Sequence, residues 1–363
     1  MESFKDVGPN LKSFFYHVSK PESDELVRGS VVLLHGSEEH GGRYGPFGEE
    51  LAKNGYALFA IDHIGHGKTT LNDKKNLGKW KNTGKKNNFY LSAYNAYYLV
   101  DVIRKKYPGK PVYLLGHDFG GSMAQYMLGK FPDAFDGVII SGCGMPTGRD
   151  RWIFLKSLIK KVCLFDEMQS KGTFKSRKKY MNVHFRPTRT KYDWLNSVPE
   201  EVDRFIKDPL SGFVAQIGYY FYLYRYIVTV PLFTKFKKIN KNLPMMFICG
   251  EDDYMVRKGK MVNKLAKFYN RKGFESTIVK TYSKARHDVL MDWNKAEVAE
   301  DIANWINKNS YKEEKVPTKI KREDTELKAI TLGNVKPQVK PTVVELKEEE
   351  PEDDLRLSTE IKK

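Results

Sequence analysis

The sequence predicts an α/β fold: a mostly parallel central sheet with helices on both faces, and an inserted helical cap before the sheet is completed. Three observations predict it. Short continuous apolar runs alternate with longer mixed stretches through the first 141 residues, the pattern of parallel strands buried on both faces. The alternation lapses between about 145 and 236, where basic and aromatic residues mix, and then resumes. Finally, Gly116-His117-Asp118-Phe119-Gly120-Gly121 directly follows the apolar run 111–115. Glycines two before and two after a central residue relieve backbone crowding in a strand-to-helix nucleophile turn, and here that residue is aspartate.

Taken in order, strand Gly29–Leu34 is followed by a helix over 44–54 and strand Tyr56–Ile61. A helix over 91–107 leads to the strand at 111–115, the turn, and a helix continuing over 122–128. Strand Gly137–Ser141 closes the first series. After the insertion come a strand at 244–249, a helix at 258–270, a strand at 276–281 and a final helix at 295–307. The expected division is a first core part at 1–144, a cap at 145–236, a second core part at 237–310 and a tail at 311–363. The tail holds 12 Lys and Arg against 13 Asp and Glu with almost no aromatics, so it cannot bury enough surface to fold alone and is expected to be disordered, its partner unknown.

The chain carries a formal charge of +17, and removing the tail leaves 50 basic against 32 acidic residues, about +18. The basic character therefore belongs to the folded part. It suits peripheral contact with an anionic membrane, although a solvated lysine-rich surface is the plainer account. No nucleic-acid motif accompanies it, including around the lysine-rich run at 73–86 with its single Trp80, which reads as a solvated loop near a site entrance. The apolar stretch 213–232 is long enough to span a bilayer, but Arg225 and a cluster of tyrosines make it a buried or ligand-lining helix. Cys143, Cys163 and Cys249 show no metal spacing and read as buried free thiols in a reducing compartment. The first residues contain no apolar signal core, so a cytoplasmic location is expected.

Chemistry concentrates on three loops at the carboxyl ends of strands, where the site of an open α/β sheet forms. Asp118 stands at the nucleophile position. Gly250-Glu251-Asp252-Asp253 follows one strand and Ala285-Arg286-His287-Asp288 follows another, so Asp253 can orient His287 as a base. Backbone N–H groups of Ser37 and Phe119 are the expected oxyanion donors. Phe213, Tyr219, Tyr220 and Tyr222 are candidates to enclose the apolar part of a small or single-chain lipid substrate. His35, His40, His63 and His66 lack the tight thiolate or acidic constellation of a zinc site, so neither metal nor cofactor is expected.

The chain resembles the monoacylglycerol lipase and bacterial lysophospholipase branch of the α/β-hydrolases, of the serine aminopeptidase S33 type. The resemblance runs over roughly residues 10 to 308. It rests on His35-Gly36-Ser37-Glu38-Glu39-His40-Gly41-Gly42-Arg43-Tyr44, Asp62-His63-Ile64-Gly65-His66-Gly67-Lys68, the turn at 116–121, Tyr192-Asp193-Trp194-Leu195, Asp208-Pro209-Leu210-Ser211-Gly212-Phe213 and the two loops carrying Asp253 and His287. It implies a hydrolase of an ester-type lipid or small ester, with Asp253 as triad acid and His287 as base. The departure is Asp118, since that branch uses serine. Gly-His-Asp-aromatic-Gly-Gly resembles instead the turn of epoxide hydrolases, which work through an alkyl-enzyme ester. Against that likeness, the first loop lacks their His-Gly-x-Pro proline. A lipase scaffold retained as a noncatalytic lipid-binding or interaction protein is the third reading.

Overall fold

Strands form where β-branched and aromatic residues run together, and in the computed structural model eight of them build one sheet in the order β1-β2-β4-β3-β5-β6-β7-β8. The described residues are 1–8, 13–71, 73–80 and 87–310; the expectation of a disordered tail at 311–363, and part of the lysine-rich run, lie outside them. Strands β3 (Gly29–Leu34), β4 (Tyr56–Ile61), β5 (Val112–His117), β6 (Gly137–Ser141) and β7 (Met245–Gly250) are buried along their whole length. Together with β8 (Thr277–Tyr282) they pair in parallel. The register aligns Leu34 with Gly116 and Gly116 with Ile140, so the loops after β3, β5 and β6 leave the same edge together.

Two strands precede the first one expected. β1 (Glu2–Val7) and β2 (Ser13–Ser19) pair antiparallel with each other, and β2 pairs antiparallel with β4. They extend the sheet at its edge, where β1 is half exposed.

Helices α1 (Gly45–Lys53) and α9 (Lys295–Ser310) cover one face, burying Phe47, Leu51, Val298, Ile302 and Ile306 against Val31, Leu33 and Leu115. On the other face, α2 (Asn88–Lys106), α3 (Phe119–Lys130) and α8 (Lys260–Arg271) bury Leu99, Ile103, Met123, Met127 and Leu265 against Val32, Leu114 and Phe247. Each such aliphatic or aromatic side chain contributes about 1.5–3 kcal/mol on burial. The helix start at α2 is fixed by the Asn87 side chain, which accepts from the Tyr90 N–H.

Between β6 and β7 lie α4 (Gly148–Cys163), α5 (Lys171–Met181), α6 (Pro199–Lys207) and α7 (Ile217–Phe233). A reciprocal capping box of Thr147 and Asp150 starts α4. Pro199 with Glu200 and Glu201 starts α6, suiting the positive end of the helix dipole. α7 packs on α4 and α3, and no described helix is long and apolar enough to cross a membrane. Two expectations are corrected. Cys163 ends α4 in solvent, while Cys143 and Cys249 are buried. Trp80 is no loop residue in water: it is buried, with its ring 5.0 Å from that of Tyr219.

Candidate active site

The turn after β5 has room for no side chain at two positions. A Cβ on Gly116 would collide with the carbonyl of Gly120, and one on Gly120 with the carbonyl of Leu34, so α3 can leave the sheet this tightly only with glycine at both. The helix starts at Phe119, three residues earlier than the sequence suggests. Asp118 then takes φ 48° and ψ −113°, a left-handed backbone that costs a side-chain-bearing residue about 1–3 kcal/mol. The Asp118 N–H is tied to the Ser141 carbonyl at 2.9 Å. The strain lifts the carboxylate above the sheet edge.

The two carboxylate oxygens have different partners. Oδ2 accepts from the Ser37 N–H at 3.0 Å and from the Ser37 hydroxyl at 2.9 Å. Oδ1 faces His287 Nε2 at 3.9 Å. On the far side of the ring, His287 Nδ1 is 2.9 Å from Asp253 Oδ2, and Asp253 Oδ1 accepts from the Met255 N–H. Asp253 and His287 are buried, whereas the Asp118 side chain keeps 18% of its surface exposed. The structure thus brings Asp118, His287, Asp253 and Ser37 together, and Phe119 follows as the first residue of α3 with its ring packed on Trp80 and Phe89.

Burial alone would push the His287 imidazole toward neutrality. Asp253, by charge and hydrogen bond, and then Asp118 outweigh it and raise the pKa to about 9. Asp118 is held below the usual carboxylate range: burial opposes its charge, but His287, His117, the Ser37 N–H and Arg177 favour it more. Both shifts run in the direction that favours an imidazolium facing an ionised Asp118.

Behind this group lies a second buried network. Arg43 pairs with Glu39 and, at 2.8 Å, with Asp288. Glu39 Oε1 accepts from the Gly36 N–H at 2.6 Å and the Tyr44 hydroxyl at 2.8 Å. His117 Nε2 is 3.6 Å from Asp288 Oδ1. The loop that carries Ser37 and the loop that carries His287 are therefore held by one guanidinium.

From above, α5 contributes two buried cations that the sequence reading does not single out. Arg177 pairs with Glu38 and reaches the Ser37 hydroxyl at 3.3 Å, and Lys178 Nζ lies 2.8 Å from Glu38 Oε2. The signal was present: Arg177 and Lys178 fall on the helix stripe between Phe174 and Met181, where apolar residues are expected. Tyr220 donates to Glu38 Oε1 at 2.9 Å, and the Glu38 N–H donates to the Tyr219 hydroxyl at 3.3 Å. Of the four aromatics expected to enclose a substrate, Tyr219 and Tyr220 thus touch the residue after Ser37, Phe213 stands beside His66, and Tyr222 packs near Trp80.

His35, His63 and His66 brace two loops. The His63 N–H donates to His35 Nε2 at 3.1 Å and His66 Nε2 pairs with the Tyr219 hydroxyl at 3.2 Å, and burial lowers their pKa values, to about 4 for His63 and about 3 for His66. His40 converges with His17 and Asp62. There His40 Nε2 already meets Asp208 at 2.8 Å, and Asp62 accepts from the N–H groups of Gly41 and Lys68.

Residues 25–294 match the family model described as serine aminopeptidase, S33. Human monoglyceride lipase is 31% identical over 113 residues, 30% of this chain and 33% of that protein. Monoacylglycerol lipase of Mycolicibacterium smegmatis is 30% identical over 127 residues, 35% of this chain and 41% of that protein. The matches span about a third to two fifths of these curated relatives. Among solved structures, a thermostable carboxyl esterase from Bacillus coagulans in complex with glycerol is 22% identical with a TM-score of 0.74, covering 85% of this chain and 99% of that one. A soluble variant of Saccharomyces cerevisiae monoglyceride lipase is 18% identical with a TM-score of 0.64, covering 86% and 96%. At these identities the structural likeness concerns the fold.

Proposed function

The chain belongs to the serine aminopeptidase S33 family of α/β-hydrolases, and from that premise we propose that it hydrolyses a small or single-chain lipid-like substrate. Asp118 is the reacting carboxylate, His287 the group that moves protons and Asp253 the acid that orients it. The observation that carries this reading is the division of labour in Asp118: Oδ2 is anchored on the Ser37 N–H and Oδ1 faces His287.

That division favours displacement at saturated carbon. Oδ1 attacks a ring carbon of an epoxide, the carbon–oxygen bond breaks, and the opened oxygen takes the proton of the His287 imidazolium. Alkylation removes the charge of Asp118, so His287 is left neutral and able to take a proton from water. Water adds at the Asp118 carboxyl carbon, the Ser37 N–H stabilises the charge on Oδ2, and the diol leaves with the carboxylate restored. An ester-type lipid is the substrate that the names of the relatives favour. A carboxylate serves it poorly, because the acyl intermediate would be an anhydride formed by expelling a far more basic alkoxide.

The helices between 145 and 236 act as a cap in this reading, with Phe213, Tyr219, Tyr220 and Tyr222 around the apolar part of the substrate. α4 turns Trp152, Leu155, Ile159 and Val162 outward at spacings of one helix face, with Phe165 beyond, and Lys156 and Lys160 near them. Such a face suits an anionic membrane surface, where lipid substrates lie.

The test is turnover of monoacylglycerols, lysophospholipids, p-nitrophenyl esters and epoxides by the wild type, Asp118→Ala and Asp118→Ser. Epoxide turnover with a covalent adduct on Asp118 by mass spectrometry is the expected result. Ester turnover confined to Asp118→Ser would mark a lipase site disarmed by aspartate, and silence on every substrate with tight lipid binding would remove the enzyme reading.

A further inference from the structure

A cavity of about 590 Å³ opens between one face of α5 and the segment 186–191. Its lining brings together Lys171, Lys175, Lys178, Lys179, Arg186 and Lys191, and it contains no Asp or Glu. Lysines at 171, 175, 178 and 179 share a helix face, where like charges three and four residues apart repel.

Lys178 is the buried member, paired with Glu38 at 2.8 Å. The other five cations form no ion pair among the described residues. The carboxylates that touch lining residues are already engaged. Glu38 serves Arg177, Lys178 and Tyr220, and Asp193 accepts from the N–H groups of Arg189 and Thr190 and from the Thr190 hydroxyl. Phe174 and Val214 supply an apolar floor, and the lysine stems extend it. The volume falls within the range of small-molecule sites.

We propose that this cavity binds a phosphate-bearing anion. Five of its six cations are lysines, which bind phosphate as compact point charges, and six cations with no lining carboxylate suit a multiply charged anion better than a singly charged carboxylate. Occupancy reaches the catalytic turn. Lys178 lines the cavity while its Nζ pairs with Glu38 Oε2 at 2.8 Å, and Glu38 follows the residue whose N–H holds Asp118. An anion drawn to Nζ competes with Glu38 for it. Binding itself requires no reaction at Asp118.

The experiment titrates the full chain at low ionic strength with inorganic phosphate and glycerol phosphate by calorimetry. In parallel it measures co-sedimentation with phosphatidylcholine vesicles with and without phosphatidic acid. Lys175→Gln/Lys179→Gln removes two exposed cations and leaves the core untouched. Soluble phosphates should bind the wild type and bind this variant roughly tenfold or more weakly, while Asp118→Ala binds them as the wild type does. If the source is a lipid headgroup, the same loss appears only on vesicles containing phosphatidic acid, and it persists when Val162→Asp is the background. Equal binding by wild type and the lysine variant, loss of binding in Asp118→Ala, or no binding of any probe would overturn the proposal.

Discussion

The aspartate in the turn after β5 acts on the histidine beside it. His287 has carboxylates on both ring nitrogens, at 2.9 Å and 3.9 Å, and its pKa rises from 6.5 to about 9 because they outweigh the burial that opposes its charge. A pKa raised in the folded state stabilises the fold fully below the unfolded value and loses that contribution as the pH climbs through the folded value. Stability should therefore be level up to about pH 6.5 and fall by on the order of 3 kcal/mol through pH 9, read from urea midpoints along a pH series. In Asp118→Asn one of the two charges is gone, and the fall should move to lower pH; superimposable curves for the two proteins would exclude the coupling. The same variant separates anchoring from attack, since an amide oxygen still accepts from the Ser37 N–H but displaces no leaving group, so its covalent adduct should be absent.

Single helices carry the next level of argument, and α4 is the plainest case. Val162 and Phe165 are 78% and 81% exposed, and Trp152, Leu155 and Ile159 share the outward face although α4 packs on α7 behind. Ile159→Asp together with Val162→Asp should leave the melting temperature unchanged and cut binding to anionic vesicles by roughly tenfold or more, because about 25 cal/mol is lost per Å² of apolar contact and two like charges now face the lipid. Unchanged sedimentation would place the membrane contact elsewhere. What the sequence makes legible at this scale follows from burial. Strands β3 to β7 are buried on both faces and read as unbroken apolar runs, so they and the turns they launch are found. β1 lies at the edge and is half exposed, and β2 beside it is mostly buried but carries His17 and two serines, so mixed composition hides both from a search for such runs. Asp118, Asp253 and His287 are legible because strand ends fix their order. Arg177 and Lys178 are legible only in part: two cations on the apolar stripe of α5 mark the place as unusual, but no local pattern names Glu38, 139 and 140 residues earlier in the chain, as their partner.

Across the whole molecule the two halves of the sheet are joined by charge as well as by packing. Arg43, from the segment before α1, holds Glu39 beside it and Asp288 on the loop of His287, 245 residues away in sequence. All three side chains are nearly inaccessible to water. Taking charges from water is costly, and the cost is offset here only while both carboxylates meet the guanidinium. Arg43→Met leaves two buried carboxylates without their cation and should destabilise the fold by about 3–5 kcal/mol. Arg43→Met combined with Glu39→Gln and Asp288→Asn removes the uncompensated charge and should recover much of that loss, so the triple variant should be more stable than the single one. The two variants also part in function. Glu39 holds the Gly36 N–H, and the next N–H along the chain anchors Asp118. Loosening this network should therefore lower the rate of adduct formation on Asp118 even in the triple variant whose stability has returned. Urea unfolding and single-turnover trapping measure the two effects independently. If the triple variant is no more stable than Arg43→Met, the network acts through shape and packing, and if its trapping rate equals that of the wild type, Ser37 is positioned without it.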